Sequence, residues 1–252
     1  MLAWGGDLNP TGAGYLQGPT TVDSSNGGET FIWVATARTI TQDDSSGEAN
    51  VNDDATRTAT RCYMRGLKER IEIKTTDSTP WRWRRIMFTF KGLDLLESRT
   101  APPAPIEPFL ETSSGYVRLM AQISNTGNTE VVALQARIYQ HLFKGVFNKD
   151  WDNVMNAKTA GKHINILSDK LTHIKSGNEQ GVFRTVRRWY PFNNTLVYDD
   201  YEEGGGKGAA SLSAVHPDSM GDVYIVDFFE PLNDAADGLI FWPSASLYWH
   251  ER

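Results

Sequence analysis

The sequence predicts an all-β fold in which two sheets pack face to face. Segments with the two-residue apolar alternation of half-buried strands recur along the 252 residues, without an internal repeat. Stretches rich in Gly, Pro, Ser and Asn separate these segments, and helical spacing is rare. Sandwiches of this size commonly fold as one domain, so we expect a single sandwich domain over residues 57–252.

The first 56 residues predict an irregular N-terminal arm. They contain one basic residue, Arg38, against eight acids, and Gly, Thr, Ser and Asn dominate. The apolar run at residues 31–34 predicts one short strand within this arm. An acidic loop is expected at residues 42–54.

Residues 61–90 carry the clearest strand patterns. In the first segment, Leu67, Ile71 and Ile73 alternate with charged residues, as on a half-buried strand. In the second, two tryptophans share one parity and the aliphatic and Phe residues share the other. This change of parity predicts a β-bulge near residues 84–85.

The remaining elements are predicted from shorter patterns. Residues 101–105 form a proline-rich extended connector, and residues 150–160 form a short helix. Residues 164–175 combine helical and strand features, which predicts a helical turn leading into a strand. Further strands are expected at residues 117–123, 132–138, 182–198, 222–229 and 239–250.

Positive charge is concentrated in one part of the chain. Eleven of the 25 Lys and Arg residues lie between Arg57 and Arg99, although the formal net charge is −6. Lys68, Arg70 and Lys74 lie on the strand face opposite the apolar residues, spaced as phosphate binding requires. Further basic residues on predicted strands are Arg118, Arg184, Arg187 and Arg188. A solvated face whose charges pair with Glu69 and Glu72 is the alternative.

Composition gives no support for catalysis or for a metal or cofactor site. The single cysteine, Cys62, excludes an intramolecular disulfide and a Cys-based zinc site. The five His show no HxH or HExxH spacing, and no nucleophile–base pair is visible. We therefore expect no enzyme activity, no catalytic residue, no metal ligand and no cofactor. No apolar run reaches the ~18–20 residues of a membrane span, so no membrane partner is expected.

Several segments resemble the capsid proteins of genomoviruses, which are small viruses with circular single-stranded DNA. The similar segments are residues 61–74, 81–92, 221–229 and 247–251. Residues 187–198 are more distantly similar to geminivirus coat proteins. The resemblance spans roughly residues 30–251, with gaps in the loops.

This resemblance implies an eight-stranded jelly-roll sandwich with a short helix and long loops. It also implies a capsid protein, sixty identical copies of which assemble into a small icosahedral shell around circular single-stranded DNA. The implied location is the virion, with assembly in the host nucleus. In such folds the first and last strands are neighbours in the inner sheet, which adds Tyr248, His250 and Arg252. The nucleic-acid-binding set is then Lys68, Arg70, Lys74, Arg118, Arg184, Arg187, Arg188, Tyr248, His250 and Arg252.

The chain departs from this family at its start. Family members usually begin with a long basic arm that binds DNA, whereas residues 1–10 are acidic and Gly-rich. Either such an arm lies upstream of Met1 or the chain lacks it, and we expect the former. Two other functions stay open: a carbohydrate-binding or carbohydrate-cleaving jelly roll, and a non-viral single-strand-binding protein.

Overall fold

The computed structural model describes residues 3–7, 15–16, 18–23, 27–40, 56–96, 108–112, 115–124, 129–204, 206–233 and 238–251. The predicted acidic loop, the proline-rich connector and Arg252 lie outside these residues. The strands are β1 (Ala3–Asp7), β2 (Tyr15–Leu16), β3 (Thr20–Val22), β4 (Glu29–Val34), β5 (Arg61–Thr75), β6 (Trp81–Phe90), β7 (Phe109–Thr112), β8 (Gly115–Gln122), β9 (Asn165–Ile174), β10 (Phe183–Val197), β11 (Tyr201–Glu203), β12 (Gly206–Gly208), β13 (Asp222–Pro231) and β14 (Leu239–Glu251). The described helix is α1 (Thr129–Leu142).

The all-β sandwich predicted from the sequence is confirmed, but the expected count of eight strands is wrong. Ten described strands have four residues or more, and four are shorter. The eight-stranded sheet has the order β2-β1-β8-β4-β13-β6-β9, with β7 paired to β8. The four-stranded sheet has the order β10-β5-β14-β3, and β11 with β12 forms a separate hairpin.

At three places along the chain, two consecutive strands belong to different sheets. In β5–β6, β9–β10 and β13–β14, each pair gives one strand to each sheet. The central strand β5 therefore lies between β10 and β14, and β6 lies between β9 and β13. This arrangement is a sandwich of the jelly-roll type. It also confirms that residues 61–74 lie beside residues 246–251.

The eight-stranded sheet is buried on both faces. One face packs against the four-stranded sheet and forms the inter-sheet core, which includes Trp83, Leu67 and Phe241. The other face packs against α1 and the loops that follow it, through residues such as Phe88 and Ile138. The molecule therefore has three layers: the four-stranded sheet, the eight-stranded sheet and a layer that contains α1.

Burial on both faces explains why the predicted bulge at residues 84–85 is wrong. The register of β6 with β13 runs without a break from Trp81 to Phe90, and the only shift relative to β9 lies at Met87/Phe88. Arg85 occupies the inter-sheet side of β6 between Trp83 and Met87, while the residues of the other parity face α1. Apolar residues at both parities thus reflect two buried faces rather than a bend in the strand.

Helix α1 occupies residues for which a strand was predicted. Its buried residues Val131, Leu134, Ile138 and Leu142 have helical spacing, whereas Val132 and Ala136 of the predicted alternation are exposed. The helix predicted at residues 150–160 is absent, and this segment consists of turns. Residues 165–174 form strand β9, so the strand prediction is confirmed there and the helical turn is wrong.

The N-terminal segment contains more strands than the sequence predicted. Strands β1 to β4 all precede residue 41, where one short strand was expected. All six residues of β4 are buried, because this strand pairs with β8 on one side and β13 on the other. The apolar run at residues 31–34 is therefore part of the main sandwich.

Cys62 provides a test of this packing. Its side chain is fully buried in the inter-sheet core, and burial, together with the nearby Glu251 carboxylate, raises the pKa of the thiol to about 12. We expect the native protein to resist thiol-specific reagents at pH 8 and to react fully when unfolded in denaturant, because the thiolate is the reactive form. Rapid labelling of the folded protein would contradict the packing described here.

Candidate nucleic-acid interface

One face of the four-stranded sheet does not pack against the rest of the described chain. On β5, Leu67, Ile71 and Ile73 are completely buried in the inter-sheet core, while Lys68, Arg70 and Lys74 point to the opposite side. The predicted division of this strand into an apolar and a basic face is therefore confirmed. We call the exposed side of β10, β5 and β14 the free face.

The neighbouring strands extend this basic surface. Arg187 of β10 lies directly opposite Arg70, because β5 and β10 pair in antiparallel register. The basic residues on the strands of the free face are Arg61, Arg65, Lys68, Arg70, Lys74 and Arg187. The one carboxylate among the free-face positions of these strands is Glu72. A locally positive surface therefore lies on a chain with a net charge of −6.

Few of these basic groups are neutralised by ion pairs. Arg70 lies 2.8 Å from Glu72, but the two side chains are 57% and 22% exposed, so the pair contributes only about 0–1 kcal/mol. Lys68 and Arg187 have no ion-pair partner within the described parts of the chain. Glu69, the acid between Lys68 and Arg70 in the sequence, points into the core and pairs with Arg85 instead. This distribution favours a surface that binds anions over one whose charges balance internally.

A depression of about 740 Å³ lies in the middle of the free face. Its lining residues are Lys68, Glu69, Arg70, Arg187, Arg188, Trp189, Ser244, Ala245 and Ser246. On β14, Ser244 pairs with Arg70 of β5 and Ser246 pairs with Lys68. Two short side chains therefore lie beside two long basic ones. We call this depression the basic groove; its volume lies within the ~300–1,000 Å³ typical of ligand sites.

Two exposed aromatic rings lie at one end of the basic groove. Trp189 is 50% exposed and Tyr248 is 45% exposed, and their ring centroids are 5.7 Å apart in an edge-to-face arrangement. Between them lies Gly66, where a Cβ atom would be only 2.7 Å from Trp189 Cζ2. The glycine thus allows the indole ring to lie directly over the backbone of β5.

A bulge in β5 marks this place. The register with β14 shifts between Tyr248 and Trp249, which leaves Arg65 as an extra residue of β5. The parity of the buried residues changes there, from Met64 to Leu67. His250 lies opposite Tyr63 beyond the bulge and is exposed on the free face. Tyr248 and His250 thus both lie beside the basic strand β5, as expected from the sequence.

Three predicted binding residues do not belong to the free face. Arg118 belongs to the eight-stranded sheet and is 1% exposed, so its predicted place beside the basic strand is wrong. It donates a hydrogen bond to the Ala35 carbonyl, and burial together with the nearby Arg38 lowers its pKa to about 9. Arg184 and Arg188 are on the side of β10 opposite the free face, where they pair with Ile73 and Glu69. Arg184 is exposed there, and Arg188 is partly buried and also lines part of the groove. In Arg188 the guanidinium lies 5.1 Å from the Trp83 ring centroid.

The inter-sheet core contains a charged cluster that the sequence did not reveal. Arg85 Nη1 is 2.8 Å from Glu69 Oε2, and its Nε is 3.0 Å from Asp227 Oδ1. The Trp83 indole also donates a hydrogen bond to Asp227. Burial raises the pKa of the Glu69 carboxyl, while the charges of Arg85, Arg118 and Arg188 oppose that rise. The cluster connects β5, β6 and β13 directly beneath the basic groove.

Comparisons with known proteins leave the family open: no protein-family model matches the chain, and no curated protein matches it. Within the described segments, no three or more His, Cys, Asp or Glu side chains are grouped to hold a metal ion. No helix in the same segments is long and apolar enough to cross a membrane.

Proposed function

We propose that the protein is a viral capsid subunit that assembles with identical copies into a shell and binds single-stranded DNA on the free face. The observation that carries this proposal is the basic groove, where Lys68 and Arg187 lack ion-pair partners. Cations in this arrangement attract a phosphate backbone and release its counterions, whatever the base sequence.

The location of the family resemblance supports the same proposal. The similar segments 61–74, 81–92 and 221–229 coincide with β5, β6 and β13, and 247–251 belongs to β14. These four strands lie at the centre of the sandwich as two paired strands in each sheet, β5 with β14 and β6 with β13, and β5 and β14 carry part of the basic groove. The resemblance therefore concerns the scaffold and the proposed binding surface together.

Exposed apolar side chains away from the free face support contacts between copies of the chain. Val146 and Phe147 follow α1, and Val215 and Leu232 lie in loops next to β13; all four are exposed. Contacts between obligate subunits bury about 2,000–5,000 Å² and are rich in apolar groups. In the proposed shell, these loops face neighbouring subunits and the free face is turned to the interior.

The proposal predicts large assemblies that contain DNA. We expect the purified native protein to sediment as a multimer, to form uniform particles in electron micrographs and to retain nuclease-protected single-stranded DNA. A stable monomer at high concentration and neutral pH would contradict the shell. A monomer that binds oligonucleotides would instead support the single-strand-binding protein, and one that binds glycans would support the carbohydrate-binding alternative.

A further inference from the structure

Within the described parts of the chain, the Trp189 and Tyr248 rings contact each other and stay about half exposed. The inter-sheet core is filled by other aromatic residues, including Trp83 and Phe241, whose rings contact each other and are buried. Trp189 and Tyr248 instead present about half of their surfaces to solvent beside cationic side chains. Two adjacent exposed rings within a charged surface are typical of a binding site.

The indole of Trp189 is held in place by the strand beneath it. Its ring atoms Cζ2 and Cη2 lie 2.7 and 2.9 Å from the position that a Cβ of residue 66 would occupy. A Cβ at Gly66 would overlap with the ring in the position where it lies on the sheet. A ring that is already positioned loses little conformational freedom when a ligand binds it.

The charged groups next to this ring are spaced for a nucleotide chain. Lys68 lies directly opposite Trp189 across the strand pair, about 5 Å away at the Cβ atoms. Arg187 lies two residues along β10 on the same side, a distance of ~6.8 Å. An aromatic surface with cations on two sides matches a base flanked by phosphates.

We infer that an unpaired base of the bound strand stacks on the Trp189 ring with the inclined Tyr248 ring beside it, while Lys68, Arg70 and Arg187 bind its phosphates in the basic groove. This inference rests on the proposed function and adds a selection for single-stranded over duplex DNA. In a duplex the bases are stacked on one another and their faces are closed to the protein. A single strand can turn a base onto the ring, and the contact tolerates any sequence because every base has a π face.

A comparison of three probes tests this inference. Affinities are measured for a single-stranded oligothymidylate, for an abasic strand of the same length and phosphate count, and for a duplex. We expect the full-length protein to prefer the oligothymidylate over the abasic strand by about 5- to 150-fold for each stacked base. The variant Trp189→Leu should lose this preference, and Trp189→Phe, which keeps an aromatic face, should retain most of it.

Phosphate-binding variants separate this inference from the proposed function. The combined substitution Lys68→Gln, Arg70→Gln and Arg187→Gln should weaken binding of the oligothymidylate and the abasic strand by the same factor. If it does so while Trp189→Leu keeps the wild-type preference, base stacking is refuted and phosphate binding stands. If the combined variant binds both strands like the wild type, the proposed use of the groove is refuted. Resistance of Cys62 to thiol reagents verifies that each variant is folded.

The same variant also tests whether the aromatic pair contacts another protein copy instead of a base. If Trp189→Leu prevents assembly of the protein but leaves the preference for bases intact, the pair contacts a second copy of the chain and base stacking is refuted.

Discussion

Replacing Lys68, Arg70 and Arg187 together with glutamine is expected to reduce the affinity for single-stranded DNA about 100-fold at 0.1 M salt. Each phosphate contact on a single strand contributes about 0.7 to the slope of log K against log salt, so three contacts contribute roughly 2. The loss should fade towards 1 M salt, because the released counterions then carry little free energy. A salt titration by fluorescence anisotropy measures the change in slope directly.

A charge-matched control distinguishes the groove from net charge. Lys144, Lys149 and Lys158 are exposed in the segment that follows α1, on the side of the eight-stranded sheet away from the free face. Replacing these three lysines with glutamine removes the same formal charge and should change the salt slope little. Equal losses in both triple variants would mean that binding follows overall charge, and the assignment to the groove would then be wrong. The base sequence of the probe should not alter either result.

Replacing Arg85 with methionine is expected to cost about 3–5 kcal/mol of folding stability. Glu69 and Asp227 are both fully enclosed, and removing the shared guanidinium leaves their charges uncompensated. Denaturant unfolding at neutral pH measures this loss. The conservative triple variant Glu69→Gln, Arg85→Met and Asp227→Asn should recover much of the stability, because it removes all three charges at once.

The pH dependence of the Arg85→Met variant has a defined sign. Burial already raises the pKa of Glu69, and Arg85 opposes this rise, so the substitution raises the pKa further. A carboxyl with a raised pKa in the folded state stabilises the fold below its unfolded pKa of about 4.3, and this contribution is lost as pH rises through the folded value. The stability difference between the wild type and Arg85→Met should therefore widen as the pH rises above about 4.3. A constant difference would argue against Glu69 as the group responsible.

The control for this substitution lies on the same strand. Arg82 pairs with Glu230 where both side chains are partly exposed. Arg82→Met should cost no more than about 1 kcal/mol, because solvent already screens the pair. A loss as large as that of Arg85→Met would mean that substitution in β6, rather than the buried charges, causes the destabilisation.

The basic surface could be predicted from β5 because only one face of that strand is buried. Strict alternation then separates Leu67 and Ile71 from Lys68 and Arg70, and the structure confirms this division. The same reasoning failed for Arg118, since charged residues in a strand that is enclosed on both sides give no external alternation. On β10, the opposite parity of Arg187 and Arg188 could have separated the free-face residue, Arg187, from its neighbour.

Other features depend on long-range packing and could not be predicted from local pattern. The charged cluster joins Glu69, Arg85 and Asp227 from three strands, and no spacing in the sequence indicates their contact. The close approach of the Trp189 ring to the backbone of β5 depends on the missing Cβ of Gly66, which lies in a neighbouring strand beside the bulge at Arg65. The site for base stacking was therefore visible only after the register of β5, β10 and β14 was known.

The pairing of β5 with β14 also determines when the groove can form during synthesis of the chain. Strand β5 ends at Thr75, but its partner β14 begins only at Leu239. At about 5–20 residues per second, a ribosome needs roughly 10–30 s to travel from one to the other. Until then Ser244 and Ser246 do not exist, and Tyr248 has not joined Trp189 beside Gly66. A nascent chain therefore emerges with its cations but without the finished groove. Under the proposed function, nucleic acid would meet a complete binding surface only on a chain whose sandwich has closed.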